Sequence, residues 1–180
     1  NFPLLSDGEQ GLEGDWLLDG TAAKASIYQA ADGKTIALSN GLLRRTFRLA
    51  PNAATTGFDN LVSGEALLRG VKPEAVITID GRRIEVGGLK GQPNYAYLDN
   101  AWLEGLQASP EAMRYTGFET GPLEARLDWK QVRHYAPDAV WPPAGIHLHM
   151  DYAMPEPEQA LQAITVSVHY ALYDGMPLLC

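Results

Sequence analysis

Alternation of apolar and polar residues runs through much of the chain and predicts β-strands. In residues 74–87 (EAVITIDGRRIEVG), apolar side chains recur at every second position on both sides of an Asp-Gly pair. A two-residue turn at that pair sets Ile77 opposite Ile84 and collects the apolar side chains on one face. The segment is therefore predicted to be an antiparallel hairpin with one buried face.

A second hairpin and further strands follow from the same pattern. Residues 26–39 (SIYQAADGKTIALS) have an Asp-Gly turn that sets Ile27 against Leu38. Further strands are predicted where apolar residues alternate over longer runs: residues 42–49, 123–132, 145–154 and 163–173.

Helical signal is thin. Residues 100–107 (NAWLEGLQ) predict two helical turns with Asn100 as the N-cap, although Gly105 weakens them. Residues 87–122 show the least regular pattern and are predicted to form long loops, where binding residues tend to lie.

Together these elements predict an all-β fold, an antiparallel β-sandwich in which two sheets bury their apolar faces against each other. The length of 180 residues is enough for one such domain spanning residues 1–180, with no need for a disulfide or a metal ion to hold the core. The single cysteine, Cys180, excludes an intrachain disulfide and leaves the compartment open.

The charge balance bears on the partners. A net charge of −8 and a pI near 4.9 argue against a phosphate backbone as partner. The densest basic cluster, residues 44–48 (RRTFR), is split by a strand between two faces, so we interpret it as solvated surface rather than a nucleic-acid groove. No apolar run approaches the ~20 residues of a membrane span, so none is expected.

Candidate chemistry centres on histidines. His147 and His149 project from one face of a predicted strand, and with His169 on the neighbouring strand they could bind zinc. The alternative is a polar sheet face, or histidines hydrogen-bonded at an interface. We assign no cofactor, metal ion or catalytic residue from the sequence. No spacing singles out a catalytic pair among the carboxylates near predicted strands: Glu119, Glu124, Asp128 and Asp151.

Aromatic residues in the irregular segments are candidates for contact with sugar. Tyr95, Tyr97 and Trp102 fall within residues 87–122, and Trp141 precedes two prolines. Aromatic faces on the loops of a β-sandwich suit the stacking of sugar rings. The alternative is that these side chains close the ends of the sandwich.

Six stretches of the chain together resemble the N-terminal β-domain of secreted bacterial glycoside hydrolases similar to α-galactosidases. The most specific part of this resemblance lies in residues 164–180 (ITVSVHYALYDGMPLLC). The other stretches are residues 39–50 (SNGLLRRTFRLA), 58–61 (FDNL), 65–69 (EALLR), 72–81 (KPEAVITIDG) and 86–92 (VGGLKGQ). The resemblance implies a galactose-mutarotase-like supersandwich that packs on a catalytic (β/α)₈ barrel carrying the catalytic carboxylates. It transfers no catalytic residue to this chain.

On this basis we expect a non-catalytic N-terminal accessory domain of a secreted or periplasmic glycoside hydrolase, partnered by the catalytic domain of the same parent chain and by carbohydrate. One alternative is a free-standing carbohydrate-binding module. Another is an aldose-epimerase-like enzyme that uses His147 or His149 with Asp151 as acid and base. Because residues 176–180 (MPLLC) are mostly apolar, we also expect the natural chain to extend past Cys180 into further β structure.

Overall fold

A computed structural model of the protein describes residues 2–5, 12, 14–130, 132, 139–155 and 164–180. Strand accounts for 44% of the structure and helix for 4%. All pairings between its strands are antiparallel. The prediction of an all-β, antiparallel, sandwich-like fold is therefore confirmed.

The first sheet is a five-stranded meander in which each strand pairs with the next along the chain. Its strands are β1 (Ser26–Gln29), β2 (Thr35–Ser39), β3 (Leu43–Arg48), β4 (Ala54–Asn60) and β5 (Glu65–Arg69). Ile27 pairs with Leu38 across the β1–β2 turn, as the sequence predicted. β5 is the exposed edge of this sheet.

The remaining strands form a two-stranded hairpin and a three-stranded sheet. The hairpin consists of β6 (Ala75–Ile79) and β7 (Arg82–Val86), in the predicted register with Ile77 opposite Ile84. The three-stranded sheet has the order β10-β9-β8, with β8 at Arg114–Pro122, β9 at Gly145–Ala153 and β10 at Thr165–Tyr173.

One apolar cluster fills the space between these units. It combines Phe47 of the first sheet, Val86 of the hairpin, and Leu148 and Tyr170 of the three-stranded sheet, all almost fully buried. The rings of Phe47 and Tyr170 lie 5.0 Å apart and join the two sheets directly. Because alternate residues of β9 and β10 enter this core, the side chains between them project from the opposite, outer face.

The sequence prediction was wrong in two segments. Residues 123–132 were predicted to be a strand, but the described residues there, 123–130 and 132, contain none. Residues 87–122 were predicted to be loops, but they end in β8. In addition, β4 and β5 were not predicted. The physical reason is that pairing with a neighbour, and not local alternation alone, decides whether an extended segment becomes a strand.

The predicted helix is a 3₁₀ helix at Asn100–Gly105. Its N-cap is Asp99 and not Asn100, because the Asp99 carboxylate accepts a hydrogen bond from the backbone N–H of Ala101 at 2.9 Å. Among the described residues, no helix is long and apolar enough to cross a membrane.

The interpretation of residues 44–48 as solvated surface was wrong. Arg48 is only 3% exposed and forms ion pairs with Asp32 and Glu104. Arg45 pairs with Glu74, whose side chain is 2% exposed, at 2.8 Å. The reason is that β3 lies in the middle of its sheet, where long side chains on either face are covered by neighbouring strands and loops.

The last residues fold back along β10. After the turn at Asp174 and Gly175, Ala171 and Cys180 exchange two backbone hydrogen bonds of 2.8 and 2.9 Å. The amide of Asn40 donates to the carbonyl oxygens of Tyr173 and Met176 and ties this turn to the first sheet. The terminal run is thus paired, and the Cys180 thiol is exposed.

Candidate functional site

Three histidines meet on the outer face of the three-stranded sheet. His149 on β9 lies directly opposite His169 on β10, and His147 precedes His149 by two residues on the same face. On the other side of β9, Glu119 of β8 lies opposite His149. Strand register therefore places an acid and two histidines in one row across three strands, with His147 beside it.

The imidazole rings are in close contact. The ring centroids of His147 and His169 lie 5.0 Å apart in parallel planes, and Nε2 of His147 lies 2.9 Å from Nδ1 of His169. The ring of His149 lies 5.7 Å from that of His147 and 5.4 Å from that of His169. One nitrogen from each ring can be chosen so that all three lie within 4.8 Å of one another.

Two carboxylates lie beside Nε2 of His149. Its Nε2 lies 3.5 Å from an oxygen of Asp151 and 3.8 Å from an oxygen of Glu119. Asp151 is held by the hydroxyl of Ser167, which donates to its other oxygen at 2.5 Å. The face thus combines nitrogen and oxygen donors, the ligand types that bind divalent metal ions.

The surroundings favour the neutral form of His147. Partial burial lowers the pKa of this imidazole, and the neighbouring His169, His149 and Arg126 lower it further. A neutral imidazole keeps one nitrogen lone pair available, either for a hydrogen bond or for a metal ion.

A cleft of about 490 Å³ adjoins this face. His147 and His169 form part of its wall, together with Trp141 and the chain after β8. Its described lining residues are Leu123, Glu124, Ala125, Arg126, Leu127, Trp141, Pro142, His147, His169, Ala171, Tyr173 and Cys180. The indole N–H of Trp141 donates to the carbonyl of Leu127 at 3.0 Å, which fixes the ring against residues 123–127.

The other aromatic candidates lie elsewhere. The rings of Tyr97 and Trp102 are 5.0 Å apart, and the ammonium group of Lys72 lies 4.4 Å from the centre of the Tyr95 ring. None of these three aromatic residues is among the described residues that line the cleft. The structure therefore divides the four candidates into Trp141 at the cleft and a separate group on residues 95–102.

Several residues of the cleft were missed by sequence reasoning. Arg126 and Leu127 carried no functional signal, because their segment was predicted to be a strand. Trp129, which is not among the described lining residues but whose ring lies 5.8 Å from that of Trp141, was not singled out either. Of the carboxylates considered, Glu124 lines the cleft, and Glu119 and Asp151 lie beside His149. Only the tertiary structure shows that these residues are neighbours of the histidines, since they are distant along the chain.

The fold and this face define an antiparallel all-β domain with a histidine-rich outer sheet surface beside an aromatic cleft. Comparisons with protein-family models, curated proteins and solved structures found no match to this chain.

Proposed function

We propose that this chain is a non-catalytic β-domain of a secreted or periplasmic, α-galactosidase-like glycoside hydrolase. In this proposal the domain packs on the catalytic domain of the parent chain and contacts carbohydrate at the Trp141 cleft. The link to glycoside hydrolases rests on the resemblance of the sequence. The choice of the cleft rests on the structure around Trp141.

The single observation that carries the proposal is the composition of the cleft wall. Trp141 supplies an aromatic face, while Glu124 and Arg126 supply an acceptor and a donor within the same 490 Å³ cleft. A sugar ring needs both, because its C–H face stacks on aromatic rings and its hydroxyl groups need hydrogen-bond partners. The hydrogen bond to Leu127 holds the indole in place, so little ordering is required on binding.

The affinity of such a site should be low. Stacking on one aromatic ring contributes on the order of 1 kcal/mol, and a few hydrogen bonds exposed to water add little. We therefore expect dissociation constants near the millimolar range.

Titration with galactosides, followed by NMR on the 180-residue chain, tests the proposal. We expect chemical shift changes first at Trp141 and at neighbouring residues 123–127, and loss of these changes in Trp141→Ala. Trp16→Ala is the matched control, because Trp16 is not among the described lining residues. No shift changes at millimolar sugar would contradict the site, and changes centred on residues 95–102 would move it to the Tyr97–Trp102 pair.

A second candidate function, an aldose-epimerase-like activity, is favoured by one specific observation. Nε2 of His149 lies 3.5 Å from an Asp151 oxygen, within reach of a shared role as acid and base. Acceleration of galactose mutarotation that is lost in Asp151→Asn would support this activity. Absence of any acceleration by the wild-type chain would exclude it.

A further inference from the structure

We propose that His147, His149 and His169 form a binding site for a divalent transition metal ion such as Zn²⁺. This proposal does not rest on carbohydrate binding, since it concerns the histidine nitrogens and not the indole of the cleft. It requires that the three rings already lie close together, that their nitrogens can reach one ion, and that the local charge tolerates a cation.

The backbone holds the three rings in place. Two of the histidines are neighbours on β9 and the third is their cross-strand partner on β10. Side chains directly opposite each other on an antiparallel pair have Cβ atoms about 4.5–5.5 Å apart, and those two apart on one strand share a face. The buried alternate residues of both strands, Leu148 and Tyr170, fix this register because a one-residue slip would expose them.

The nitrogen positions fit one ion after a small adjustment. With Zn–N bonds of about 2.0–2.1 Å in a tetrahedral site, neighbouring ligand nitrogens lie about 3.3 Å apart. The candidate nitrogens here lie within 4.8 Å of one another, and His147 and His169 are already 2.9 Å apart. Rotation of the imidazole rings about χ2, a broad torsion, can supply the remaining movement.

The simpler interpretation is a polar sheet face with one hydrogen bond. The contact between His147 and His169 satisfies one nitrogen of each ring, because one of the two carries the proton and the other accepts it. Strand register brings His149 beside this pair, with its ring centroid 5.4 Å from that of His169, but leaves it outside their hydrogen bond. A shared ion would use one nitrogen of each of the three rings.

The charge around the histidines favours a cation. Asp151 and Glu119 lie beside Nε2 of His149, and Ser167 orients Asp151. Carboxylates in such positions either complete the coordination or fix the imidazole that binds the metal ion. The positive charge of Arg126 opposes them, but it is one charge against two carboxylates.

Ligand type and access define the class of metal. Imidazole ligands suit zinc, copper and nickel, whereas calcium and magnesium prefer oxygen ligands. If Asp151 and Glu119 only orient His149, an ion held by the three rings keeps one coordination position open, and His147 and His169 place this ion beside the cleft that they line. Three protein ligands and one open position are typical of zinc sites that bind water or a small ligand.

Titration of the metal-free 180-residue chain with Zn²⁺ by calorimetry, and with Co²⁺ by visible absorption, tests the site. We expect one ion per chain with a dissociation constant in the micromolar range or below, and the intense visible bands of four-coordinate Co²⁺. Paramagnetic broadening by Co²⁺ should be centred on His147, His149 and His169 of β9 and β10. Failure to saturate, or broadening centred elsewhere, would overturn the proposal.

Variants separate the site from general surface binding. His149→Ala and His169→Ala should each weaken Zn²⁺ binding by about tenfold or more, and the triple His→Ala variant should abolish it. Thr165→Ala is the matched control, because Thr165 lies on the same face of β10 four residues from His169, and it should bind as the wild type does. Unchanged far-UV circular dichroism will establish that each variant is folded. Unchanged affinity in the folded triple variant would refute the site.

Discussion

Replacement of Glu74 by alanine should strongly destabilise the fold, because this carboxylate connects the two sheets. One of its oxygens accepts hydrogen bonds from Arg45 on β3 at 2.8 Å and from the Tyr170 hydroxyl on β10 at 2.5 Å. The other oxygen accepts the backbone N–H of Thr55 on β4 at 2.5 Å. Glu74 itself immediately precedes the hairpin, so one side chain joins all three β units.

The magnitude follows from burial. The side chain of Glu74 is 2% exposed and that of Arg45 is 25% exposed, so removal of the carboxylate leaves a largely buried cation without its partner. Breaking a buried ion pair from one side costs about 3–5 kcal/mol. Arg45 keeps its hydrogen bond to the Thr55 hydroxyl and its position over the Tyr170 ring, so we expect about 3 kcal/mol for Glu74→Ala.

Equilibrium urea unfolding, followed by tryptophan fluorescence and far-UV circular dichroism, measures this difference. The midpoint should fall while the slope stays unchanged, because the same surface is exposed on unfolding. Glu85→Ala is the control: its ion pair with Lys90 is 3.7 Å long and both side chains are well exposed. That variant should lose no more than about 1 kcal/mol.

A double replacement tests the physical cause. The loss of stability in Glu74→Ala is expected to come from the unpaired charge of Arg45. The double variant Arg45→Met/Glu74→Leu should then be less destabilised than the single variants Arg45→Met and Glu74→Leu, because apolar side chains need no partner. A loss in Glu74→Ala no larger than that in Glu85→Ala would refute the assignment of Glu74 as the link between the sheets. Additive losses in the double variant would refute the electrostatic explanation.

Three further predictions concern local features. Gly145→Ala should lower the free energy of unfolding by about 1–3 kcal/mol, because a Cβ there would clash with a carbonyl oxygen of β10. Gly121→Ala is the control, because a Cβ there would meet nothing within 4 Å, and its thermal unfolding should resemble that of the wild type. Partial burial raises the pKa of Asp32, but hydrogen bonds from Lys34 and Thr35 and the charge of Arg48 outweigh it and the net pKa is lowered. The contribution of the Asp32 carboxylate to stability is therefore present above about pH 4 and is lost as the pH falls through its lowered pKa. The melting temperatures of the wild type and of Asp32→Asn should therefore converge as the solution is acidified. A difference in melting temperature that stays constant with pH would contradict this. Asp80 has a positive φ of 50° in the β6–β7 turn. Asp80→Val should therefore lower the free energy of unfolding by about 1–2 kcal/mol, whereas Asp80→Asn should be tolerated. Equal urea midpoints for the two variants would contradict the turn assignment.

Sequence patterns predicted the parts of the fold in which local chemistry and tertiary structure agree. The two Asp-Gly hairpins have the predicted register, because the turn fixes which residues pair and burial of the apolar face stabilises the same pairing. β9 and β10 were predicted for the same reason, since their alternate residues enter the core. These elements need little information from the rest of the chain.

The strands that were missed lack that agreement. β4 has a glycine at position 57 and register shifts on both sides, β5 is exposed along its length, and β8 contains two glycines. Their extended conformation comes from hydrogen bonds to neighbours that sequence alone does not identify. Residues 123–130, by contrast, alternate in sequence but pair with no strand in the part of the chain that the structure describes, and residues 123–127 form part of the cleft wall.

The candidate site shows the same division between local and distant information. The spacing of His147 and His149 was visible as two residues on one strand face, and His169 could be proposed because its strand was predicted. The pairing of His149 with His169, and the approach of Glu119 from the other side, depended on the register of three strands. The position of Trp141 beside them depended on residues 123–127, whose conformation was predicted wrongly.

The cleft and the histidine cluster share two side chains, so a cleft ligand that contacts those side chains is coupled to the metal ion. His147 and His169 line the cleft in which we place the sugar, and they also supply two of the three nitrogens of the proposed metal site. An ion on these nitrogens would fix both rings, present a positive charge to the cleft, and break the hydrogen bond that now joins them. By linkage, any change that the ion makes in the affinity for a cleft ligand must be matched by an equal change that the ligand makes in the affinity for the ion. An anionic or hydroxyl-rich ligand that reaches the open coordination position would therefore bind together with the metal ion, whereas a ligand held only by the Trp141 face would be indifferent to it.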